Sequence, residues 1–511
     1  MQFTYPLHRA IQQYPDRLAV QSGDRQTSYS QLSDRVARLA AALRGLGMAP
    51  GDRVAMLSLN SDRYLEYQFA VPWGGGVLNP CNIRWSPTEI AYSLNDSQSA
   101  ILLVDQAFLP MVAAIRKQAK SLRQVIYCGD GPAGEGMPDY EALIAGAVPI
   151  EDAQRGGEDL CAILYTGGTT GFPKGVMLSH DAFASGALSI IGQGIAPSGT
   201  YLHAAPMFHV ADFMFSCAHW WQGNSHVVIP VFDPAAFVAA VEQGQVTSTL
   251  LVPTMIQMLL DHPAFNDAKS LDSLRNLIYG ASPMPAALLD RAIAALPHVA
   301  FTQAYGMTEC APATFSSAAR NGIAPPERTT GRPALGLEIS IRDDAGRELP
   351  VGQVGEVWLR GPNMMQGYWG KADQTAAALH DGWLKTGDGA VMDMTGQITV
   401  VDRIKDMIIS GGENVYSAEV ENAIAQHPAV AASAVIGLPD EKWGETVHAV
   451  VVLRETDSAN AQDIIAHCRS LIAAYKCPRS VSFAAALPLS AAGKVLKHEL
   501  RKQVAEGVAR Q

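Results

Sequence analysis

The chain has 511 residues, room for roughly three to four domain-sized units, and its 48% hydrophobic and 17% charged residues are those of a globular protein, not a disordered, collagen-like or disulfide-stapled one. Its 38 Lys and Arg against 49 Asp and Glu give a net charge of -11, without the basic excess that binding a nucleic-acid backbone demands. The seven cysteines form no C-x-x-C pair, so neither a disulfide framework nor a zinc knuckle is expected, and a reducing compartment fits them.

No apolar run reaches about 18 residues, and neither MQFTYPLHRAIQQYPDR at the start nor VARQ at the end reads as an address, so no membrane span and a cytoplasmic location are expected. From Thr27 to Leu46, apolar residues recur at three- and four-residue spacing up to Gly47, which predicts an amphipathic helix. Short β-rich runs at 52–59, 100–105, 124–128 and 225–230 alternate with helical stretches, the pattern of a layered α/β body. A formal G-x-G-x-x-G at Gly129–Gly134 follows the third of these runs. It is discounted as a dinucleotide fingerprint because Pro132 and Gly136 oppose a helix opening there. His203, His209, His219 and His226 match no metal-ligand spacing and are read as unrelated positions. Residues 338–360 read as strand, Asp-Ala-Gly turn and strand, which adds a barrel-like antiparallel lobe. Past Asp402 the pattern changes again. Ser417 is expected to cap a helix, two strands follow, and 461–474 is helical, a compact α+β unit of about 110 residues. The expected fold is therefore multi-domain α/β, with a large body over 1–401 of two α/β layered lobes plus a β-barrel-like lobe, and a small domain over 402–511.

The segment LYTGGTTGFPKGVMLSH at 164–180 carries the strongest chemical signal. An apolar strand runs into a loop in which Gly167, Gly168 and Gly171 let backbone N–H groups converge on anionic oxygens; Thr166, Thr169 and Thr170 add hydroxyl donors, and Lys174 a point charge. It is not a Walker loop, since Lys174 follows Pro173 and precedes Gly175. A bare Gly-rich turn is the alternative, one that leaves the threonines and the lysine without a purpose.

This loop resembles the phosphate loop of the adenylate-forming superfamily of acyl-CoA synthetases, nonribosomal adenylation domains and beetle luciferases. PMFHV at 206–210, YGASP at 279–283, QAYGMTE at 303–309, WLKTGD at 383–388, VDRIKDMIISGGENVYSAEVE at 401–421 and LPLSAAGK at 487–494 follow in the family order. Gly167 stands where many members have Ser. The resemblance implies ATP, Mg²⁺ and CoA as the small molecules used, an ATP-dependent acid:thiol ligase as the enzyme, and a mobile C-terminal domain; a homodimer is left open.

The implied roles make chemical sense. Activating a carboxylate requires two anions to be brought together and the charge of an in-line attack on the α-phosphate to be stabilised. By resemblance, Gly280, Ala281, Ser282, Gly306 and Met307 line the nucleotide. Tyr305 stacks on adenine, Thr308 donates to the α-phosphate, Glu309 is a hard oxygen ligand for Mg²⁺, and Asp388 accepts both ribose hydroxyls. Lys494 is the adenylation lysine, and its place so far from the ATP loop implies domain closure about the hinge Asp402, with Arg403 a nucleotide contact. Ser410, Gly411 and Gly412 form a turn that pantetheine can pass closely, and Trp443 and Arg479 match CoA contacts, although an indole covering a small core and a solvated guanidinium remain open readings. His209 resembles the residue beside the substrate carboxylate, against a neutral core histidine. The acyl pocket falls to His209, Val210, Phe213, Met214, Tyr279, Gly280, Ala304 and Gly306. Amino-acid adenylation domains carry Asp where this chain has Val210, so an apolar fatty or aryl acid is expected rather than an amino acid. Trp220 and Trp221 are expected to pack the core. Transfer of the acyl group to a carrier protein is the alternative to CoA.

Overall fold

The computed structural model describes residues 1–134, 136–166, 173–265, 271–316, 329–411, 413–454, 458–490 and 495–507. Among these, two mainly parallel sheets form the body. The first has the order Gly367–Tyr368, Lys174–Ser179, Leu160–Thr166, Val77–Pro80, Arg53–Leu57, Ile101–Val104, Gln124–Tyr127. The second runs Arg332–Pro333, Cys310–Phe315, Ala300–Met307, Asn276–Gly280, Ser248–Leu251, Thr200–His203, Ser225–Val228, Leu18–Ser22, Arg25–Ser28. Strands such as Ile101–Val104 and Ser248–Leu251 are buried along their whole length, as parallel strands covered on both faces must be.

The expected helix forms over Tyr29–Gly45, started by a capping box in which Ser28 and Gln31 satisfy each other's backbone N–H groups. Beside it, Asp62–Trp73 is buried on every side. Its charged residues survive that burial because they are paired: Asp62 with Arg25, Arg63 with Asp130 and Glu141, and Glu66 with Arg35. After Gly134 the next helix begins only at Tyr140, and Asp130 within the glycine motif serves these ion pairs, so no helix opens on that motif.

The predicted antiparallel lobe is a five-stranded sheet in which Glu338–Arg342 pairs with Val354–Arg360, which pairs with Trp383–Met392; that long strand also pairs with Ile398–Arg403. Beyond it lies a separate core of Ile408, Val420, Ile424, Val435, Val447 and Ile464. It sits around a sheet whose main hairpin joins Val430–Asp440 to Gly444–Leu453. The expected cap is corrected here: the helix Ser417–Ile424 is preceded by Tyr416, and Ser417 is its first helical residue, with its hydroxyl turned to Asp402. No helix of the described residues is long and apolar enough to cross a membrane.

Candidate active site

The topology gathers the motifs. Thr200–His203, Ser248–Leu251, Asn276–Gly280 and Ala300–Met307 are successive parallel strands of one sheet, so PMFHV follows the carboxyl end of the first, and YGASP and YGMTE straddle those of the last two, at the edge where open α/β sheets bind ligands. Gly280 lies opposite Ala304, and a Cβ there would sit 2.1 Å from the Ala304 carbonyl oxygen, which explains the glycine. Ala281 follows with φ 65°, a left-handed backbone that costs a non-glycine residue about 1–2 kcal/mol.

The phosphate-loop motif is an antiparallel hairpin whose last register pair is Thr166 with Lys174. Gly167, Gly168, Thr169, Thr170 and Gly171 lie outside the described residues, as do Gly412 and Lys494. The base of the hairpin is firmly tied: the Tyr165 hydroxyl donates to Asp96 at 2.7 Å, and Trp369 N–H donates to the Gly175 carbonyl at 2.8 Å. Lys174 Nζ stands 4.7 Å from the centre of the Tyr368 ring.

Glu309 sits in the turn between Ala300–Met307 and Cys310–Phe315, with Thr308 beside it. Its carboxylate is buried and accepts a 2.8 Å hydrogen bond from the Tyr368 hydroxyl. Burial, and then the charge of Glu309, push the Tyr368 phenol up, which keeps it a donor. No group of three or more His, Cys, Asp or Glu among the described residues could enclose a metal ion. A single carboxylate beside the phosphate hairpin does suit Mg²⁺, which takes one or two protein carboxylates and fills its shell with phosphate oxygens and water.

Asp388 is the centre of a second constellation. It is buried on the strand Trp383–Met392, its Oδ2 accepts the Tyr305 hydroxyl at 2.6 Å, and its Oδ1 pairs with Arg403 Nε at 2.6 Å. Burial and Asp388 together push the Tyr305 phenol well above its ordinary value, so it too remains a donor. Arg403 is the register partner of Asp388 and is 39% exposed, which makes it the partner able to turn toward a ligand.

One residue earlier, Asp402 Oδ1 accepts the Arg403 N–H at 2.8 Å, while Oδ2 accepts both the N–H of Ser417 at 2.5 Å and its hydroxyl at 2.6 Å. Lys497 donates to the Ser417 hydroxyl and pairs with Glu421 at 2.8 Å. The small unit also touches the body through Arg84, whose Nη1 donates to the Ser490 carbonyl at 2.9 Å. Gly411, Trp443 and Arg479 also come together. Gly411 N–H donates to the Trp443 carbonyl, a Cβ on Gly411 would lie 2.7 Å from the indole, and Arg479 stacks on that indole at 4.3 Å, with Ser410 adjoining.

Of the residues expected at the acyl pocket, His209 immediately precedes the helix Val210–Gln222, its ring 4.3 Å from Phe208. Phe213 and Met214 are buried on that helix, Phe213 against Phe183 at 4.7 Å and Phe3 at 5.6 Å. Tyr279 is buried at the end of its strand, while Ala304 and Gly306 line the next strand's exit. Trp220 packs in the core on His226, as expected, and Trp221 on Tyr5.

The histidines are not the unrelated positions that their spacing suggests. His203 bridges Asp212 at 2.7 Å and His226 at 2.9 Å, Tyr201 also donates to Asp212, and His219 stacks on Tyr201 at 4.5 Å. Burial pushes His219 down to about 3 and His226 well below its ordinary range, so both are neutral and their role is packing. His209 is the member that stands apart. Sequence reasoning missed Tyr368, Asp96, Lys497 and Arg84, whose significance lies in partners distant along the chain, and read Ser417 only as a cap.

Polar motifs at the carboxyl edge of a parallel sheet, joined through Tyr305 to Asp388 and Arg403, are the build of an adenylate-forming enzyme. The chain belongs to that superfamily: residues 7–369 match the AMP-binding enzyme family and residues 419–494 the AMP-binding enzyme C-terminal domain. It is an enzyme of the acid–thiol ligase class. A feruloyl-CoA synthase from Amycolatopsis sp is 40% identical over 506 residues, 98% of either chain. A fatty acid–[acyl-carrier-protein] ligase, ScoC, from Streptomyces coeruleorubidus is 35% identical, covering 96% of this chain and 94% of its own. The anthranilate CoA ligase AuaEII in complex with anthranoyl-AMP superposes with a TM-score of 0.92 at 29% identity, over 100% of this chain and 98% of that one.

Proposed function

We propose that this protein is an ATP-dependent acyl-CoA synthetase acting on a largely apolar fatty or aryl acid. In the first half-reaction a carboxylate oxygen attacks the α-phosphorus, the bond to pyrophosphate breaks, and acyl-AMP forms. In the second, the CoA sulfur attacks the acyl carbonyl, AMP leaves and the thiol proton passes to solvent. Asp388 accepts the ribose hydroxyls as Arg403 turns away from it, and Tyr305 stays fixed by its hydroxyl with its ring toward adenine. Lys174 and Thr308 hold phosphate oxygens, and Lys494 neutralises the charge that builds at the α-phosphate. Glu309 would hold Mg²⁺, which supplies charge neutralisation of the phosphates when bound. The two units, 1–401 and 402–511, turn relative to each other at Asp402 between the half-reactions.

The observation that carries CoA as acceptor is the indole of Trp443 flanked by Arg479 at 4.3 Å and Lys442 at 4.8 Å, a stacking surface with cations for phosphates. Val210, at the position where amino-acid adenylation domains carry Asp, supports an apolar acid. The likeness to ScoC supports a second reading, transfer to a carrier protein. Incubation with ATP, Mg²⁺ and a graded panel of fatty and aromatic acids, with and without CoA, and mass spectrometry of the products, separates the two. Thioester formed from one acid class supports the proposal; acyl-AMP that accumulates equally with and without CoA refutes it in favour of the carrier protein.

A further inference from the structure

We propose that Tyr368 is a positioning residue shared by the two halves of the phosphate site, its hydroxyl holding Glu309 and its ring facing Lys174. The inference rests on the adenylation reading given above and extends it to a residue outside the motifs that define it. The two-residue strand Gly367–Tyr368 pairs with the strand that starts at Lys174, with Tyr368 opposite Val176 and Trp369 N–H on the Gly175 carbonyl. A few residues earlier the same segment grips the other hairpin: Met365 N–H donates to the Glu309 carbonyl at 2.9 Å, and Met364 bridges Cys310. Residues 364–369 thus staple the phosphate-loop hairpin to the turn that carries Glu309, and the Tyr368 side chain repeats the staple.

The staple is itself held. Tyr368 N–H donates to Thr375 Oγ1 at 2.9 Å, the indole N–H of Trp369 donates to the Asp96 carbonyl at 2.9 Å, and Tyr368 is only 8% exposed. A buried carboxylate without a donor rearranges to find one, and a carboxylate that wanders is a poorer ligand for a cation whose geometry is strict. A lysine over the face of an aromatic ring is held without losing its charge. The two contacts are separable, since phenylalanine keeps the ring and loses the hydroxyl, whereas leucine loses both.

The test uses the full-length enzyme and calorimetry with α,β-methylene ATP, comparing its Kd in excess Mn²⁺ with its Kd in EDTA, alongside Glu309→Gln. Tyr368→Phe is expected to reduce the metal-dependent gain in affinity by about 10-fold or more, with metal-free affinity and thermal melting close to wild type. Tyr368→Leu is expected to weaken metal-free binding as well, because Lys174 loses its ring. If Glu309→Gln leaves the metal-dependent gain intact, the reading of the site itself fails. If Glu309→Gln abolishes that gain and Tyr368→Phe does not change it, the site stands and the role of Tyr368 is overturned. Loss of metal-free binding in Tyr368→Phe overturns it too.

Discussion

Ser417→Pro tests the hinge most directly. Ser417 is the first residue of its helix, a position where proline is tolerated because that N–H has no partner within the helix, so the substitution leaves Ser417–Ile424 intact. What it removes is outside the helix: the N–H and the hydroxyl that both donate to Asp402 Oδ2, at 2.5 and 2.6 Å. It also removes the hydroxyl that Lys497 reaches, although Lys497 keeps Glu421. A hydrogen bond to a charged group is worth about 1.5–3 kcal/mol, so the loss of even one such bond shifts the balance between domain arrangements by roughly 10- to 150-fold. On the proposed function the shift has a direction, because the bonds span Asp402, the residue proposed as the hinge. They belong to the arrangement seen here, in which Ser490, four residues before Lys494, is docked on Arg84. Rapid-quench measurement of each half-reaction is expected to show acyl-AMP formation slowed at least 10-fold, and thioester formation from supplied acyl-AMP unchanged or faster. Ser417→Ala, which keeps the N–H, is expected to fall between. Equal slowing of both half-reactions, or none, refutes the latch.

Three further outcomes follow from the geometry. Trp443→Ala and Arg479→Ala are each expected to raise the KM for CoA about 10-fold while ATP–pyrophosphate exchange is unchanged, and parallel loss of both activities refutes their assignment. Gly280→Ala places a methyl 2.1 Å from the Ala304 carbonyl oxygen; a loss of roughly 1–3 kcal/mol in urea unfolding together with loss of nucleotide binding is expected, and wild-type stability refutes the close approach. His180, which accepts the Phe3 N–H on Nδ1 at 3.1 Å, is pushed down to about 4 by burial. Its folded value lies below the unfolded one of about 6.5, so the unfolded chain takes up the proton first, and the contribution of His180, complete above about pH 6.5, is lost as the pH falls toward 4. His180→Gln is expected to flatten the fall in urea stability across that window by about 1.4 kcal/mol per pH unit, and an unchanged slope refutes it.

What the sequence determined by itself is what short-range chemistry controls. The Ser28–Gln31 capping box and the three- and four-residue apolar rhythm set the helix Tyr29–Gly45 within a residue or two of its reading. Buried runs of Val, Ile and Leu set the parallel strands, and the Gly, Thr and Lys of 164–180 point to polyphosphate by residue type alone. Tertiary structure alone decided the partnerships. Nothing near Tyr368 points to Glu309, 59 residues away, nor near Arg84 to Ser490, 406 residues away. His203, His219 and His226 looked unrelated because their spacing fits no metal motif, yet the pairing of Thr200–His203 with Ser225–Val228 and the packing of Val210–Gln222 close them around Asp212. Ser417 read as a cap since its type suits one; its hydroxyl goes instead to Asp402, carried to it by the strand Ile398–Arg403. Local residue type fixes what a side chain can bond to, and the path of the chain fixes which partner is within reach.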